Sequence, residues 1–244
     1  MADVAGDEGA AGSHPAESYV RRWTGLLPAG EFPEYSRAER DADVWVHAVG
    51  LVLGGAGVAT IFAYGIPEVP TPAGVALAIY GVALMLMLAS SALYNLVLDP
   101  GRKEVLRRLD HSAIFVMIAG TYTPMMVAGN GGVIGLALLA FVWSVAVAGT
   151  ALVFLRPRRS ERLRLALYLV AGWSIVVALN PLFRAISPES GLLLLGGGAL
   201  YTIGIVFHLW TALPFHNVVW HVLVLVAAAC HWLAVVRVTV PEVA

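Results

Sequence analysis

The chain has 244 residues, of which 59% are hydrophobic and only 13% are charged, and its formal net charge is −1. About a quarter of the residues of a soluble globular domain are charged, so this composition excludes a water-soluble protein and indicates a membrane protein. The short basic loops lack interleaved aromatic residues, which argues against nucleic-acid binding. The single cysteine, Cys230, excludes both a disulfide framework within the chain and a zinc ribbon.

The N-terminal region, residues 1–38, is rich in Ala, Gly, Glu and Pro. It has no apolar core of the kind that a cleaved secretory signal contains. Residues 1–16 are predicted to be disordered, and residues 17–28 are predicted either as a short helix on the membrane surface or as an unstructured tether. The membrane domain is predicted over residues 39–240.

Seven apolar stretches follow this tail, and each approaches the roughly 20 residues that a membrane-spanning helix needs. They are predicted as spans over residues 43–65, 72–97, 109–128, 131–154, 163–182, 190–210 and 216–236. Proline and glycine residues separate the spans, as in Asp99-Pro100-Gly101 after the second one. The predicted fold is therefore all-α, a seven-transmembrane helix bundle.

Basic residues alternate between the two sides of the predicted spans. Thirteen of the 15 Lys and Arg residues precede the first span, or lie between the second and third or the fourth and fifth. Cytoplasmic loops of membrane proteins are enriched in Lys and Arg. We therefore predict a cytoplasmic N-terminus and an extracytoplasmic C-terminus.

Polar side chains that are costly in hydrocarbon occur near the same predicted membrane face, the cytoplasmic one. They are Asp43, His47, Ser91, Asn95, Asp110, His111, His208, His216, Asn217 and His221. Five predicted spans contribute to this layer, which indicates a pocket holding Asp110 and His221 with Asn95 and Asn217 beside them. Aspartate and neutral imidazole are zinc ligands, although a zinc site usually takes three or four such groups.

Three stretches of the chain carry a resemblance to a known family. They are ERDADVWVHAVG at 39–50, SSALYNLVLDPGRKEVLRRLDHSAIFVMIAGTYTP at 90–124 and PFHNVVWHVLVLVAAACHWLAV at 214–235. With the predicted topology, they make residues 39–236 resemble the hemolysin III family, bacterial relatives of the progestin and adipoQ receptors and, more distantly, of the alkaline ceramidases. The resemblance implies a multi-pass protein of the bacterial inner membrane whose partners are membrane lipids.

The resemblance also implies a zinc ion near the cytoplasmic side, held by three histidines and linked through water to an aspartate. Ser91, Asp110 and His221 match the family pattern, but the two other histidine positions are Asn95 and Asn217 here. Because an amide is a poor zinc ligand, the implied zinc site is degenerate. The resemblance implies Ser91 and Asp110 as catalytic residues and Asp110 and His221 as metal ligands.

Three interpretations of this polar layer stay open. The pocket keeps its shape without a metal, with both amides hydrogen-bonded to Asp110 and Ser91; other histidines replace the missing ligands; or the layer only holds the helices together. The histidines at a suitable depth to act as substitute ligands are His47, His111, His208 and His216.

Three classes of function follow from these interpretations. A metal-dependent hydrolase of lipid amides or esters would use Asp110 and His221 around a metal-activated water, with Ser91 as a polarising hydroxyl. A channel or pore, which the family's association with cell lysis suggests, requires a polar stripe through a span, and none of the seven predicted spans shows one. A lipid sensor or scaffold would keep the pocket without chemistry.

Overall fold

The computed structural model describes residues 35–97, 99–129, 132–155, 161–178 and 186–240. Within these ranges the chain is all-α, as predicted, and contains no β-strand. The helices are α1 (Arg37–Thr60), α2 (Thr71–Leu96), α3 (Pro100–Ala128), α4 (Gly132–Leu155), α5 (Glu161–Trp173), α6 (Pro188–Leu209) and α7 (His216–Thr239). The predicted disordered or interfacial tail before residue 35 lies outside the described residues.

Six of these seven helices are long and apolar enough to cross a membrane: α1 with its continuation to Glu68, α2, α3, α4, α6 and α7. The predicted fifth span, at 163–182, coincides with α5, which has 13 residues and passes into a 3-10 turn over Ser174–Ala178. Residues 179–185 lie outside the described part of the chain. The count of seven spans and the orientation of the termini therefore remain predictions.

Helices α2 and α3 form the centre of the bundle. In their apolar 18-residue stretches 61% and 67% of the residues are buried, against 17–28% in the other four candidate spans. Small residues allow this close packing, and a Cβ atom added to Gly120 of α3 would lie only 2.7 Å from the Cβ of Ala83 in α2. This contact holds the end of α2, with Ser91 and Asn95, close to the beginning of α3.

Tyr122 of α3 stabilises the point where α5 ends. Its hydroxyl oxygen lies 2.9 and 2.8 Å from the carbonyl oxygens of Ala171 and Gly172, and it accepts a hydrogen bond from the backbone amide of Ile175 at 2.7 Å. A helix leaves such backbone groups unpaired where it stops. The phenol therefore accounts for the change from α-helix to 3-10 turn at Ser174.

We expect Tyr122→Phe to lower the free energy of unfolding by about 1–3 kcal/mol, because it leaves the buried amide of Ile175 without its acceptor. Tyr64→Phe is the matched control, since Tyr64 is 67% exposed. Thermal unfolding of the purified protein in detergent measures both variants. Equal unfolding midpoints for the two would show that the end of α5 does not depend on this hydroxyl.

Candidate functional site

Five helix ends meet at one end of the bundle, which we call the polar end. They are the N-terminal ends of α1, α3 and α7 and the C-terminal ends of α2 and α6. His221 near the start of α7 interacts with Asp43 of α1, Asp110 of α3 and His208 of α6, and the neighbouring Asn217 contacts Asn95 of α2. All ten polar residues that the sequence places in one layer belong to these helix ends.

Glu39 ties the beginning of α1 to the beginning of α7. Its carboxylate accepts hydrogen bonds from the backbone amides of Ser36 and Phe215, both at 2.8 Å. The Ser36 hydroxyl accepts in turn from the Glu39 amide, which completes a capping box at the start of α1. Phe215 has a left-handed φ of 59° and directly precedes α7. These contacts set the first turns of the two helices side by side.

Asp43 is the centre of a buried cluster at the polar end. Its Oδ1 lies 2.6 Å from Nδ1 of His221, and its Oδ2 lies 3.5 Å from Nε2 of His47. The two imidazole rings are 4.5 Å apart between their centroids, and all three residues are only 6–7% exposed. Because Asp43 and His47 are four residues apart, α1 presents both on the face that meets His221.

The two asparagines extend this cluster from α7 to α2. Nδ2 of Asn217 donates to Oδ2 of Asp43 at 3.4 Å and to Oδ1 of Asn95 at 3.3 Å. Nδ2 of Asn95 donates to the backbone carbonyl oxygen of Ser91 at 2.9 Å. The metal-free interpretation predicts Asp110 and Ser91 as partners of the two amides. The contacts found are with Asp43, with each other and with the Ser91 backbone.

Asp110 forms a second polar pair beside the Asp43 cluster. Its Oδ2 lies 3.1 Å from Nδ1 of His111, and its carboxylate also interacts with the Ser91 hydroxyl and with His221. Asp110, Ser91 and His221 therefore share one polar region. The three potential ligand atoms that lie within 4.8 Å of one another, however, come from Asp43, His47 and His221.

His208 and His216 lie around the Asp43 cluster without joining it. The ring of His216 is 5.8 Å from that of Tyr35, and its side chain lies near the backbone carbonyl of Phe207. The ring of His208 packs 5.4 Å from that of Trp220. In both histidines Nδ1 is buried and has no hydrogen-bond partner within the described ranges.

Tyr35 lies at the polar end just before α1 begins. Burial raises the pKa of its phenol well above the usual range, and the nearby Tyr94, Asp43 and Glu39 add to this effect because negative charge beside a phenol disfavours its ionisation. Tyr35 therefore keeps its proton at physiological pH and is a neutral hydrogen-bonding group close to the Asp43 carboxylate.

Asp43, His47 and His221 form a group that can hold a metal ion. Each offers one ligand atom, and the three atoms lie within 4.8 Å of one another. One carboxylate and two imidazoles are a ligand set that zinc takes in catalytic sites, with bonds of about 2.0–2.2 Å. Nε2 of His47 is buried without a hydrogen-bond partner among the described residues, so this nitrogen is available as a ligand. The donor set fits zinc.

Asp43 is the member of this group that the sequence patterns did not single out as a ligand. His47 is one of the predicted substitute ligands, and the structure brings it to His221. The signal for Asp43 was its spacing, since it lies four residues before His47 at the start of an apolar stretch. That spacing shows a shared helix face, but it does not show which other helix the face meets.

Comparison with known proteins identifies similar chains in bacteria and in animals. A family model described as haemolysin-III related matches residues 38–232. The chain is 38% identical to the hemolysin-3 homolog of Bacillus subtilis (strain 168) over 161 residues, which are 66% of this chain and 76% of that protein. It is 33% identical to hemolysin-3 of Bacillus cereus over 203 residues, 83% of this chain and 93% of the relative. It is 29% identical to the monocyte to macrophage differentiation factor of Homo sapiens over 166 residues, 64% and 67% of the two chains.

Proposed function

The chain belongs to the hemolysin III family and is a multi-pass bacterial membrane protein, and on this basis we propose that it is a metal-dependent hydrolase of lipid amides or esters. The observation that carries the proposal is the buried group of Asp43, His47 and His221. Ionisable residues inside a membrane are costly and by default mark a functional site. A bound divalent metal would act there as a Lewis acid toward a lipid carbonyl oxygen.

The three ligand residues are supported by a neighbour that orients them. Asp43 and His47 come from α1, His221 comes from α7, and Asn217 donates a hydrogen bond to the Asp43 carboxylate from one turn before His221. Partners of this kind fix the orientation of a ligating carboxylate and tune the metal site. Asn217 therefore takes part by positioning a ligand, although its amide is itself a poor ligand for zinc.

Asp110 is the group best placed to move a proton in this site. His111 and the Ser91 hydroxyl hold its carboxylate, and His221 lies close to it. A general base or acid has to be held within reach of the reacting group. We therefore assign proton transfer to Asp110, and to Ser91 the role of positioning it.

Metal content and hydrolysis, measured together, test the proposed function. We expect protein purified gently from membranes to contain about one divalent ion per chain, and His47→Gln to lose most of it, because one of three ligands is removed. Release of fatty acid from lipid amides or esters in mixed micelles should fall with the metal content. The matched control is His231→Gln on α7, whose ring contacts the backbone carbonyl of Leu194 at 3.1 Å and should not affect the metal.

Two results would count against this function. Fewer than about 0.1 divalent ions per wild-type chain would end the metal assignment. Full metal content without release of any fatty acid would remove the hydrolase and would leave a lipid sensor that uses the same residues without chemistry.

A further inference from the structure

Arg164 is a buried cation at the polar end of the bundle. It lies in the first turn of α5 and is 3% exposed. Its Nη1 is buried without a hydrogen-bond partner, and in the described ranges no carboxylate oxygen lies within 4.0 Å of its guanidinium nitrogens. Arg107 and Arg108 of α3 differ from it, because both contact the Glu104 carboxylate at 2.8–3.1 Å.

A buried arginine in this state needs an anion. Arginine is almost never fully buried unless it is paired, and it keeps its charge at any physiological pH. Taking a charge out of water is costly unless an opposite charge and hydrogen bonds compensate for the loss. An anion from outside the described residues would therefore complete the surroundings of Arg164.

Glu161 is the acidic residue one turn before Arg164 on the same helix. Burial raises the pKa of its carboxyl above the ordinary value, although the nearby Arg164 acts in the opposite direction. No carboxylate oxygen of Glu161 lies within 4.0 Å of the Arg164 guanidinium nitrogens. Glu161 therefore does not form a direct ion pair with Arg164, although it lies close enough to interact with its charge.

The neighbours of Arg164 connect it to the candidate metal site. Arg164 interacts with His111, which pairs with Asp110, and with His208, which also interacts with His221. Nδ1 of His208 is a second buried polar atom that lacks a hydrogen-bond partner among the described residues. Two buried nitrogens without a hydrogen-bond partner among the described residues, Nη1 of Arg164 and Nδ1 of His208, thus belong to side chains that interact with each other beside the Asp43 cluster.

We propose that Arg164 binds the phosphate group of a membrane phospholipid whose carbonyl groups reach the Asp43 cluster. The planar guanidinium matches a phosphate with two parallel, charge-assisted hydrogen bonds. Helix ends lie at the level of the bilayer headgroups, which is where phospholipid phosphates are found. That this lipid is a substrate rests on the proposed function, whereas its binding by Arg164 does not.

Thermal unfolding in lipid-doped micelles tests this binding. We expect dioleoyl phosphatidylglycerol to raise the unfolding midpoint of the wild-type protein by about 5 °C over dioleoylglycerol, which has the same chains and no phosphate. Arg164→Gln should lose this shift, and Arg164→Lys should lose at least half of it because lysine cannot form the bidentate contact. Arg162→Gln is the matched control, since Arg162 is exposed on the same helix and should keep the full shift.

Several outcomes would overturn the proposal. One is a phospholipid-induced rise in the unfolding midpoint of Arg164→Gln that is as large as the rise in the wild type. Another is an equal unfolding midpoint of the wild type in the two lipids. In dioleoylglycerol we expect Arg164→Gln to unfold no lower than the wild type, because it removes an unpaired buried charge; a lower midpoint there would indicate a structural role instead. If Arg164→Gln cannot be obtained folded, Arg164→Lys replaces it in the test, and a rise in its unfolding midpoint equal to that of the wild type would also overturn the proposal.

Two further measurements identify the source of the anion and test whether its binding depends on the metal. Inorganic phosphate that reproduces the whole shift would overturn the lipid assignment and leave a site for small anions, whereas a shift confined to the phospholipid supports the assignment. His47→Gln, which removes a proposed metal ligand, should keep the phospholipid shift. Failure of the metal proposal would therefore leave this result unchanged.

Discussion

Asp43→Ala is expected to lower the free energy of unfolding by about 1–3 kcal/mol for each of the two buried donors, on His221 and Asn217, that lose their acceptor. The substitution takes away the carboxylate that contacts His221 at 2.6 Å and Asn217 at 3.4 Å. Chemical or thermal unfolding in detergent measures the loss. Asp41→Ala is the matched control, because Asp41 is exposed and its ion pair with Arg37 at 3.9 Å is a surface contact worth about 0–1 kcal/mol.

Asp43→Asn separates the structural role of this residue from its role as a ligand. The amide keeps the size of the side chain and one acceptor oxygen, so it should retain much of the stability. It loses the carboxylate that a divalent ion needs, so the metal content should fall as far as in Asp43→Ala. Equal unfolding midpoints for Asp43→Ala and Asp41→Ala would contradict the central position of Asp43 in the polar end.

The double substitution Asn95→His and Asn217→His is expected to tighten zinc binding by more than about tenfold, since even residues outside the ligand shell are worth roughly 10–100-fold in metal affinity. Asn217 lies 3.4 Å from the Asp43 carboxylate and 3.3 Å from Asn95. Imidazoles at these two positions would add nitrogen ligands beside His221 and complete a set of four or more. Competition with a chelator of known affinity measures the change.

A matched control for this variant keeps the amides. Asn95→Gln with Asn217→Gln enlarges both side chains without adding a nitrogen that ligates zinc, so its zinc affinity should not rise. No gain in the double histidine variant over this control would mean that positions 95 and 217 do not face the same metal as His221. The family ligand positions would then not describe the site in this chain.

The asparagines at positions 95 and 217 are compatible with a buried carboxylate at position 43, because their amides can donate hydrogen bonds. A buried aspartate requires hydrogen-bond donors, and here His221 lies at one oxygen while the Asn217 amide donates to the other. The Asn217 amide also reaches Asn95, which links the cluster to α2. Replacing the amides therefore changes both the ligand number and the hydrogen bonds of Asp43, which is why metal affinity and unfolding should be measured on the same samples.

Hydropathy predicted the apolar part of most helices but not their polar ends. The predicted spans at 72–97 and 216–236 agree closely with Thr71–Leu96 and His216–Thr239. Helix α3 begins at Pro100 rather than at 109, because the Asp99 side chain accepts from the amide of Gly101 at 2.9 Å and starts the helix outside the apolar stretch. Hydropathy detects the length buried in hydrocarbon, whereas capping decides where the helix starts.

The sequence by itself determined that this protein consists of membrane helices with polar residues gathered at one end. That information is local, because a spanning helix satisfies its own backbone hydrogen bonds and needs only an apolar stretch of sufficient length. Only the tertiary structure decided which polar residues meet. Asp43 and His221 are separated by 178 positions, and their contact depends on how far each helix is rotated about its own axis. That rotation is set by long-range packing and by the contact of Glu39 with Phe215, which no local pattern encodes.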